Sequence, residues 1–254
     1  MTEARTVAYG PHPSQVVDLY RPARGTVDAD TRVTLLHGGF WREAYDRRHL
    51  APLAAALAGE GVEVALAEYR RVGGGGGWPH TFDDVVRALD AGRTGAARRH
   101  VLVGHSAGGH LALWAASSPM TAGVALDHVV AVAPVADLGR ARALGLSAGA
   151  VRELVAPAEE AHADPMRLLP PRVPVTLLHG SDDEDVPVAL SSAYAGAARA
   201  VGAAVAFAVL EGADHFAPVT PGTPACARLT AAVLSQSPDG LESPARPAIE
   251  DKKR

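Results

Sequence analysis

A buried-strand pattern that runs through G-x-S-x-G into a helix pattern limits the fold of this chain more than any other feature. The segment spans residues 101–114, and Ser106 lies at the centre of its turn between Gly104 and Gly108. A turn this tight requires residues without bulky Cβ substituents around the serine, and it raises the hydroxyl above the edge of the sheet. The bare pattern is common, but a strand before it and a helix after it make the match specific. Ser106 is therefore the candidate nucleophile.

Strand-like and helix-like patterns alternate along the chain. Strands are predicted at residues 33–36, 62–67, 100–104, 129–134, 173–178 and 205–210, after an extended segment at 15–20. Helical patterns fill most of the gaps, one opened by Thr81 as its N-cap and one, from about 188 to 201, closed by Gly202. Repeated β-α units need right-handed crossovers, which predicts an α/β fold with a mainly parallel, doubly wound sheet and helices on both faces. Ligands of such sheets bind beyond the carboxyl ends of the strands.

The predicted strand at 33–36 ends in the sequence His37-Gly38-Gly39-Phe40-Trp41. A glycine pair at the end of a strand can turn its backbone N–H groups towards a reacting carbonyl oxygen. Gly38, Gly39 and Phe40 are therefore predicted to form an oxyanion hole. The N–H of Ala107, which begins the helix after the candidate nucleophile, is expected to complete it.

Carboxylates follow the predicted strand at 173–178, in the acidic run 182–185, and one of them should orient a catalytic histidine. Asp137, after the strand at 129–134, is a further candidate for this acid. His215 lies in the loop after the last predicted strand, so it is the candidate general base, and His179 is a weaker rival. The chain order is serine, acid, histidine, which is the order expected after a nucleophile elbow.

In these features the chain resembles the α/β-hydrolases, and within them the HGG-type esterases that include the serine kynurenine formamidases. The resemblance covers roughly residues 15 to 235. It is carried by residues 37–41, Glu68-Tyr69-Arg70, Gly104 to Gly109, the H-G-x-x-D-x-x-V-P run at 179–187, and Asp214-His215. The acid of the family is the fifth residue of that run, which implies Asp183 as the partner of His215.

The resemblance implies an α/β-hydrolase domain over residues 1–236 with a Ser106-Asp183-His215 triad. The histidine would accept the serine proton, the carboxylate would hold the imidazole, and water would hydrolyse the acyl-enzyme, with no metal and no organic cofactor. The predicted activity is that of a serine hydrolase that cleaves a small carboxylic ester or activated amide. Kynurenine formamidase is the main specific alternative, and a non-catalytic relative that only binds a ligand is the second.

One long segment, several aromatic residues and a glycine run are predicted to lie at or near the pocket. Residues 138–172 are too long for an ordinary connection and contain several prolines that break the helical stretches, which predicts a small cap over the site, with a long solvated excursion as the alternative. Trp41, Trp78 and His105 are candidate pocket residues beside the glycine turns, although large aromatic residues next to glycine loops are as often packing residues. The glycine run at 73–77 lacks the spacing of a phosphate-binding loop and is predicted to be a flexible loop near the pocket.

The composition limits the range of partners. A net charge of −4 and a pI near 6.2 give no electrostatic footprint for nucleic acid or an anionic membrane surface. A local basic cluster is interpreted as a solvated face; it consists of Arg93, Arg98, Arg99 and His100. The single cysteine, Cys226, excludes an internal disulfide and is predicted to be a small core residue of the last helix.

The ends of the chain and its hydropathy lead to an expected location. No apolar run reaches the ~20 residues needed to span a bilayer, and the amino-terminal residues lack an apolar signal segment. We therefore expect a soluble, cytoplasmic monomer or homodimer whose partner is a small-molecule ester or amide. Residues 237–254 are rich in proline and charge, which predicts a disordered tail.

Overall fold

The computed structural model describes residues 4–22, 30–91 and 97–235, and the strands in these ranges form one sheet. The strands are β1 (Arg5–Ala8), β2 (Val16–Tyr20), β3 (Thr31–Leu36), β4 (Glu63–Ala67), β5 (Arg99–His105), β6 (His128–Val132), β7 (Val175–Gly180) and β8 (Val205–Leu210). Their order across the sheet is β1-β2-β4-β3-β5-β6-β7-β8. The two pairings made by β2 are antiparallel and all the others are parallel, so the prediction of a mainly parallel sheet is confirmed. The proposed tail at 237–254 lies outside the described residues.

Helices connect these strands. They are α1 (Ala51–Gly59), α2 (His80–Ala91), α3 (Ala107–Ser117), α4 (Leu138–Ala143), α5 (Leu146–Leu154), α6 (Glu160–Ala163), α7 (Val188–Ala200) and α8 (Pro224–Leu234). The end of α7 agrees with the sequence, because Gly202 follows it with a φ of +82° that favours glycine. At the start of α8, the Thr223 hydroxyl accepts from the Cys226 N–H, and Pro224 occupies the first turn, where a missing N–H is harmless. Cys226 itself is buried, as predicted.

The prediction that Thr81 caps α2 is wrong, because the helix begins one residue earlier at His80. The Thr81 hydroxyl instead donates to the carbonyl of Arg70 and accepts from the N–H of Gly77. The Thr81 side chain therefore links the end of the glycine run to the loop after β4 and does not cap α2. Further backbone hydrogen bonds run from Gly74 and Gly76 to the carbonyl of Arg71, so the run at 73–77 is a hydrogen-bonded turn.

Each face of the sheet carries its own apolar core. On one face, α2, α3 and α7 contribute buried side chains such as Phe82, Trp114 and Tyr194. On the other face, α1 and α8 contribute residues such as Leu53 and Leu229. Complete burial of a leucine side chain contributes roughly 1.5–3 kcal/mol, so helices on both faces hold the central strands in place.

The basic cluster before β5 is not a solvated face, which corrects that prediction. β5 begins at Arg99, whose guanidinium donates to the carbonyls of Val233 and Ser235 at the end of α8. His100 is 2% exposed and contacts Thr34 of β3. Within the described part of this cluster, only Arg98 is strongly exposed. Arg93 lies outside the described residues.

The segment at 138–172 forms α4, α5, α6 and a short turn at Pro165–Arg167. It packs on α3, where His110 and Trp114 donate to the carbonyls of Ala163 and His162. The backbone N–H of Trp78 donates to the carbonyl of Leu154, so the segment also contacts the loop before α2. Among the described residues, no helix is long and apolar enough to cross a membrane.

Candidate active site

Ser106 forms the turn between β5 and α3 by itself. Its φ of 56° and ψ of −117° are unusual for a residue with a side chain, and such strain is found where surrounding structure enforces it. A Cβ on Gly104 would overlap the carbonyl of Gly108, and a Cβ on Gly108 would overlap the carbonyl oxygens of Leu36 and His37. The steric reason for glycine on both sides of the serine therefore holds in the structure.

We expect Gly108→Ala to lower the free energy of unfolding by about 1–3 kcal/mol, because the added methyl group meets backbone atoms of β3 that cannot rotate away. Gly59→Ala is the matched control: nothing lies within 4 Å of a Cβ at that position, so the change should be neutral or stabilise by about 0.5 kcal/mol. Urea denaturation of both variants measures the difference. Equal midpoints would show that the elbow is not sterically tight.

His215 lies in the loop after β8 and pairs with Asp183, which lies after β7. The Nδ1 of His215 donates to Oδ2 of Asp183 at 2.7 Å, and the Asp183 side chain is fully buried. The other carboxylate oxygen of Asp183 accepts from the backbone N–H groups of Asp185 at 3.0 Å and Val186 at 2.8 Å. The backbone N–H groups hold one carboxylate oxygen, so the other oxygen faces the imidazole of His215 and fixes its orientation.

The other carboxylates considered for this role lie elsewhere. Asp182 accepts from the hydroxyl of its neighbour Ser181, and Glu184 and Asp185 are exposed. Asp137 caps the start of α4 by accepting from the backbone N–H of Arg140. The geometry therefore singles out Asp183 among the acids that the sequence left open.

His179, the rival base, is buried beneath the acid. Its Nε2 faces a carbonyl oxygen, which can only accept, so the ring proton is on Nε2 and Nδ1 accepts from the Ser191 hydroxyl at 2.7 Å. That proton is directed to the carbonyl of Val186 at 2.8 Å, with Oδ2 of Asp183 at 3.2 Å. His179 thus supports the acid and its loop. Sequence reasoning missed this role, although the histidine at the end of β7, four residues before the acid, was the available signal.

Asp183 is held in its ionised form. Burial raises the pKa of its carboxyl, but hydrogen bonds from His179 and His215 outweigh burial and hold that pKa well below its usual range. An ionised Asp183 requires that His215 carry its proton on Nδ1, which leaves Nε2 as the acceptor.

Two of the three candidate pocket residues are buried. His105 is 1% exposed, its Nε2 donates to the carbonyl of His215 at 3.0 Å, and burial lowers its pKa to about 3. Trp41 is 2% exposed and packs edge-on against His110. Both side chains therefore lie in the interior of the described structure. Trp78 is partly buried, and its ring lies against Phe82 of α2.

Two exposed aromatic residues that sequence reasoning missed lie beside these groups. Phe216 is 52% exposed, and its ring packs edge-on against that of His215 at 5.1 Å. Tyr45 is 48% exposed, borders Gly39, and lies 6.1 Å from the ring of Phe40. The signal for Phe216 was its place directly after the candidate base.

The loop after β3 adopts backbone conformations that favour glycine. φ is +106° at Gly39, 55° at Phe40 and 58° at Trp41. Gly38 lies against the nucleophile, since a Cβ on it would be 3.0 Å from the Cβ of Ser106. Within the described part of the chain, the N–H groups of Gly38 and Gly39 have no backbone acceptor.

An antiparallel edge followed by parallel strands in this order, with a strained serine turn after β5, defines the α/β-hydrolase fold. The sequence profile of the prolyl oligopeptidase family matches residues 79–223, a range that contains Ser106, Asp183 and His215. The chain belongs to that family. Among curated proteins, the sequence has no match.

Solved structures with the same fold include several esterases. A carbohydrate esterase from gut microbiota is 20% identical with a TM-score of 0.76, over 91% of this chain and 95% of that chain. Esterase B from Lactobacillus rhamnosis is 22% identical with a TM-score of 0.76, over 91% and 85%. A thermophilic esterase from Thermogutta terrifontis is 22% identical with a TM-score of 0.72, over 89% and 90%. At these identities the likeness establishes the fold.

Proposed function

We propose that this protein is a serine hydrolase that cleaves small carboxylic esters through an acyl-enzyme. The observation that carries the proposal is the 2.7 Å hydrogen bond from Nδ1 of His215 to the buried carboxylate of Asp183, in a fold whose β5 turn presents a strained Ser106. Nucleophile, base and acid follow strands of one sheet at their carboxyl ends, where ligands of such sheets bind. Membership of the prolyl oligopeptidase family supports the same class of enzyme.

The proposed reaction begins when Oγ of Ser106 attacks the ester carbonyl carbon while Nε2 of His215 accepts the hydroxyl proton. The resulting oxyanion is stabilised by the N–H of Ala107 and by the N–H groups of residues 38–40. Collapse of the intermediate breaks the bond to the leaving oxygen, which takes the proton from the imidazolium and departs as an alcohol. A water molecule, deprotonated by the same imidazole, then hydrolyses the acyl-serine and releases the carboxylic acid.

The buried carboxylate of Asp183 has two roles in this scheme. It fixes the imidazole tautomer before attack, and it stabilises the imidazolium that forms during attack. Ala107 is the first residue of α3, so its N–H has no partner within the helix and lies at the positive end of the helix dipole. The oxyanion therefore develops where donors are already oriented.

The surroundings of the site favour a short acyl group with an apolar leaving group. Exposed rings at Phe216 and Tyr45 offer flat apolar surface next to the base and the oxyanion loop. Among the structurally similar esterases, one is inhibited by a tributyrin phosphonate and another has propionate bound, and both ligands carry short acyl chains. On this proposal the segment at 138–172 acts as a small cap that limits the length of chain the pocket accepts.

We expect p-nitrophenyl acetate and butyrate to be hydrolysed with a kcat/KM at least about tenfold above that of the palmitate ester, because a compact pocket cannot bury a long chain. Steady-state kinetics on this series, with detergent held constant, measures the ratio. Efficient hydrolysis of the palmitate ester with little action on the acetate would contradict the proposed pocket.

Labelling with a fluorophosphonate probe separates an enzyme from a relative that only binds ligands. An activated serine reacts with the probe, and peptide mapping should locate the adduct on Ser106. No adduct on the folded protein would overturn the proposed function, and an adduct on another serine would overturn the assignment of the nucleophile.

A kynurenine formamidase is the narrower alternative within this proposal. Its support is the sequence resemblance at residues 37–41 and 68–70, and a formyl group needs little acyl space. N-formylkynurenine belongs in the same kinetic series as the butyrate ester. A higher kcat/KM for N-formylkynurenine would favour the formamidase, and a lower one would favour a general esterase.

A further inference from the structure

The two peptide groups that follow β3 are held by side chains outside the oxyanion loop. The Tyr69 hydroxyl donates to the carbonyl of His37 at 2.7 Å, and Nδ1 of His37 donates to the carbonyl of Gly38 at 2.7 Å. Both side chains are fully buried. Carbonyl and N–H point in opposite directions across a trans peptide, so fixing these two carbonyls also fixes the N–H groups of Gly38 and Gly39.

His37 is fixed in turn by Glu68. Its Nε2 lies 2.7 Å from Oε1 of Glu68, and its ring stacks on that of Tyr69 with a centroid distance of 4.4 Å and an interplanar angle of 11°. A carbonyl can only accept, so Nδ1 carries a proton for Gly38. A second proton must then lie between Nε2 and the carboxyl of Glu68, and the two residues hold it as a pair.

Glu68 is itself immobilised. It is 3% exposed, accepts from the backbone N–H of Arg47 at 3.0 Å and from that of Tyr69 at 3.1 Å, and forms an ion pair with Arg71. A buried carboxylate with this many partners cannot change its orientation without leaving charges unpaired. The chain of contacts therefore runs from an anchored carboxylate through an imidazole to the loop beside Ser106.

We propose that His37, anchored by Glu68, and Tyr69 are positioning residues that aim the N–H groups of Gly38 and Gly39 at the oxyanion. The inference rests on the proposed function. Neither side chain needs to touch the substrate. They act by preventing rotation of the two peptide groups, so the donors are already oriented when negative charge develops. Their loss should therefore affect the transition state more than the bound ester.

Tyr69→Phe and His37→Gln test this inference, with Tyr194→Phe as a matched control. Tyr69→Phe removes only the hydroxyl and keeps the ring that stacks on His37. Tyr194 is an equally buried tyrosine in α7, and its hydroxyl lies next to the side chain of Ser117 rather than against the loop after β3. Each variant is assayed with p-nitrophenyl butyrate, and kcat is expressed per active site titrated with a fluorophosphonate, so that unfolded molecules are not counted.

We expect kcat to fall about tenfold in Tyr69→Phe and on the order of 10²-fold in His37→Gln, with KM changed less than about threefold. The control should keep the wild-type kcat. Affinity for a trifluoromethyl ketone, which forms an oxyanion adduct with the serine, should fall in parallel with kcat. A variant that is only structurally damaged would not lose kcat and affinity for the ketone in parallel.

Two outcomes would count against different claims. A Tyr69→Phe variant that matches Tyr194→Phe in kcat, or one whose change lies entirely in KM, would overturn the positioning inference alone. A wild-type protein that neither hydrolyses the ester nor reacts with the fluorophosphonate would overturn the proposed function itself.

Discussion

Ser106→Ala is expected to lower kcat by at least ~10³-fold while leaving the fold intact. The substitution keeps the Cβ, so the strain of the turn is unchanged, but no hydroxyl remains to attack the ester. Ser117→Ala is the matched control: it removes a buried hydroxyl at the other end of α3, next to Tyr194 and far along the helix from the candidate nucleophile. Turnover of p-nitrophenyl butyrate and fluorophosphonate labelling measure the difference. Near wild-type turnover in purified Ser106→Ala would contradict the mechanism.

Asp183→Asn is expected to lower kcat by about 10³- to 10⁴-fold. The backbone N–H groups of Asp185 and Val186 both point at Oδ1, so they will select the amide oxygen for that position. The amide nitrogen is then forced to face His215 and donates to Nδ1. This reverses the tautomer: Nε2 becomes protonated and can no longer accept the proton of Ser106.

Two neighbouring acids provide controls for that variant. Asp182→Asn and Asp185→Asn change exposed carboxylates of the same loop, and each should keep kcat within about threefold of wild type, as exposed substitutions away from reacting groups do. Steady-state kinetics and thermal melting of all three variants give the comparison. A larger loss from Asp185→Asn or Asp137→Asn than from Asp183→Asn would mean that another carboxylate orients the histidine.

The central strands were predictable because each is a short apolar run bounded by turn residues. The predicted strand at 205–210 has the observed bounds of β8, and that at 100–104 differs from β5 by a residue at either end. β1 was missed for a physical reason: it is a short, exposed edge strand, Arg5–Ala8, with no buried face to create an alternating pattern.

The choice of Asp183 as the partner of His215 needed more than a local sequence pattern. Several carboxylates follow β7, and side-chain direction in a loop is not encoded by periodicity, so only the family pattern favoured Asp183. The backbone contacts of Asp185 and Val186 that fix it appear only in three dimensions. The supporting role of His179 likewise depends on Ser191, twelve residues away on α7.

The pocket was the least predictable part of the site. Trp41 follows a loop in which Gly39 and Phe40 have positive φ, and the direction of a side chain after such a backbone does not follow from sequence periodicity. The burial of His105 was predictable from the sequence. His105 alternates with Val101 and Val103 on β5, and those residues face the core beneath α1 and α8.

The segment at 138–172 leaves the carboxyl end of β6 and returns to the amino end of the adjacent parallel strand β7, so it crosses from one edge of the sheet to the other. None of Ser106, Asp183 or His215 belongs to it. Each doubling of such an excursion costs only about 0.6 kcal/mol of closure entropy. Evolution can therefore lengthen, shorten or replace this segment while these three residues stay in place. On the proposed function, a chimera that exchanges it for the equivalent segment of a structurally similar esterase should inherit the donor's substrate range.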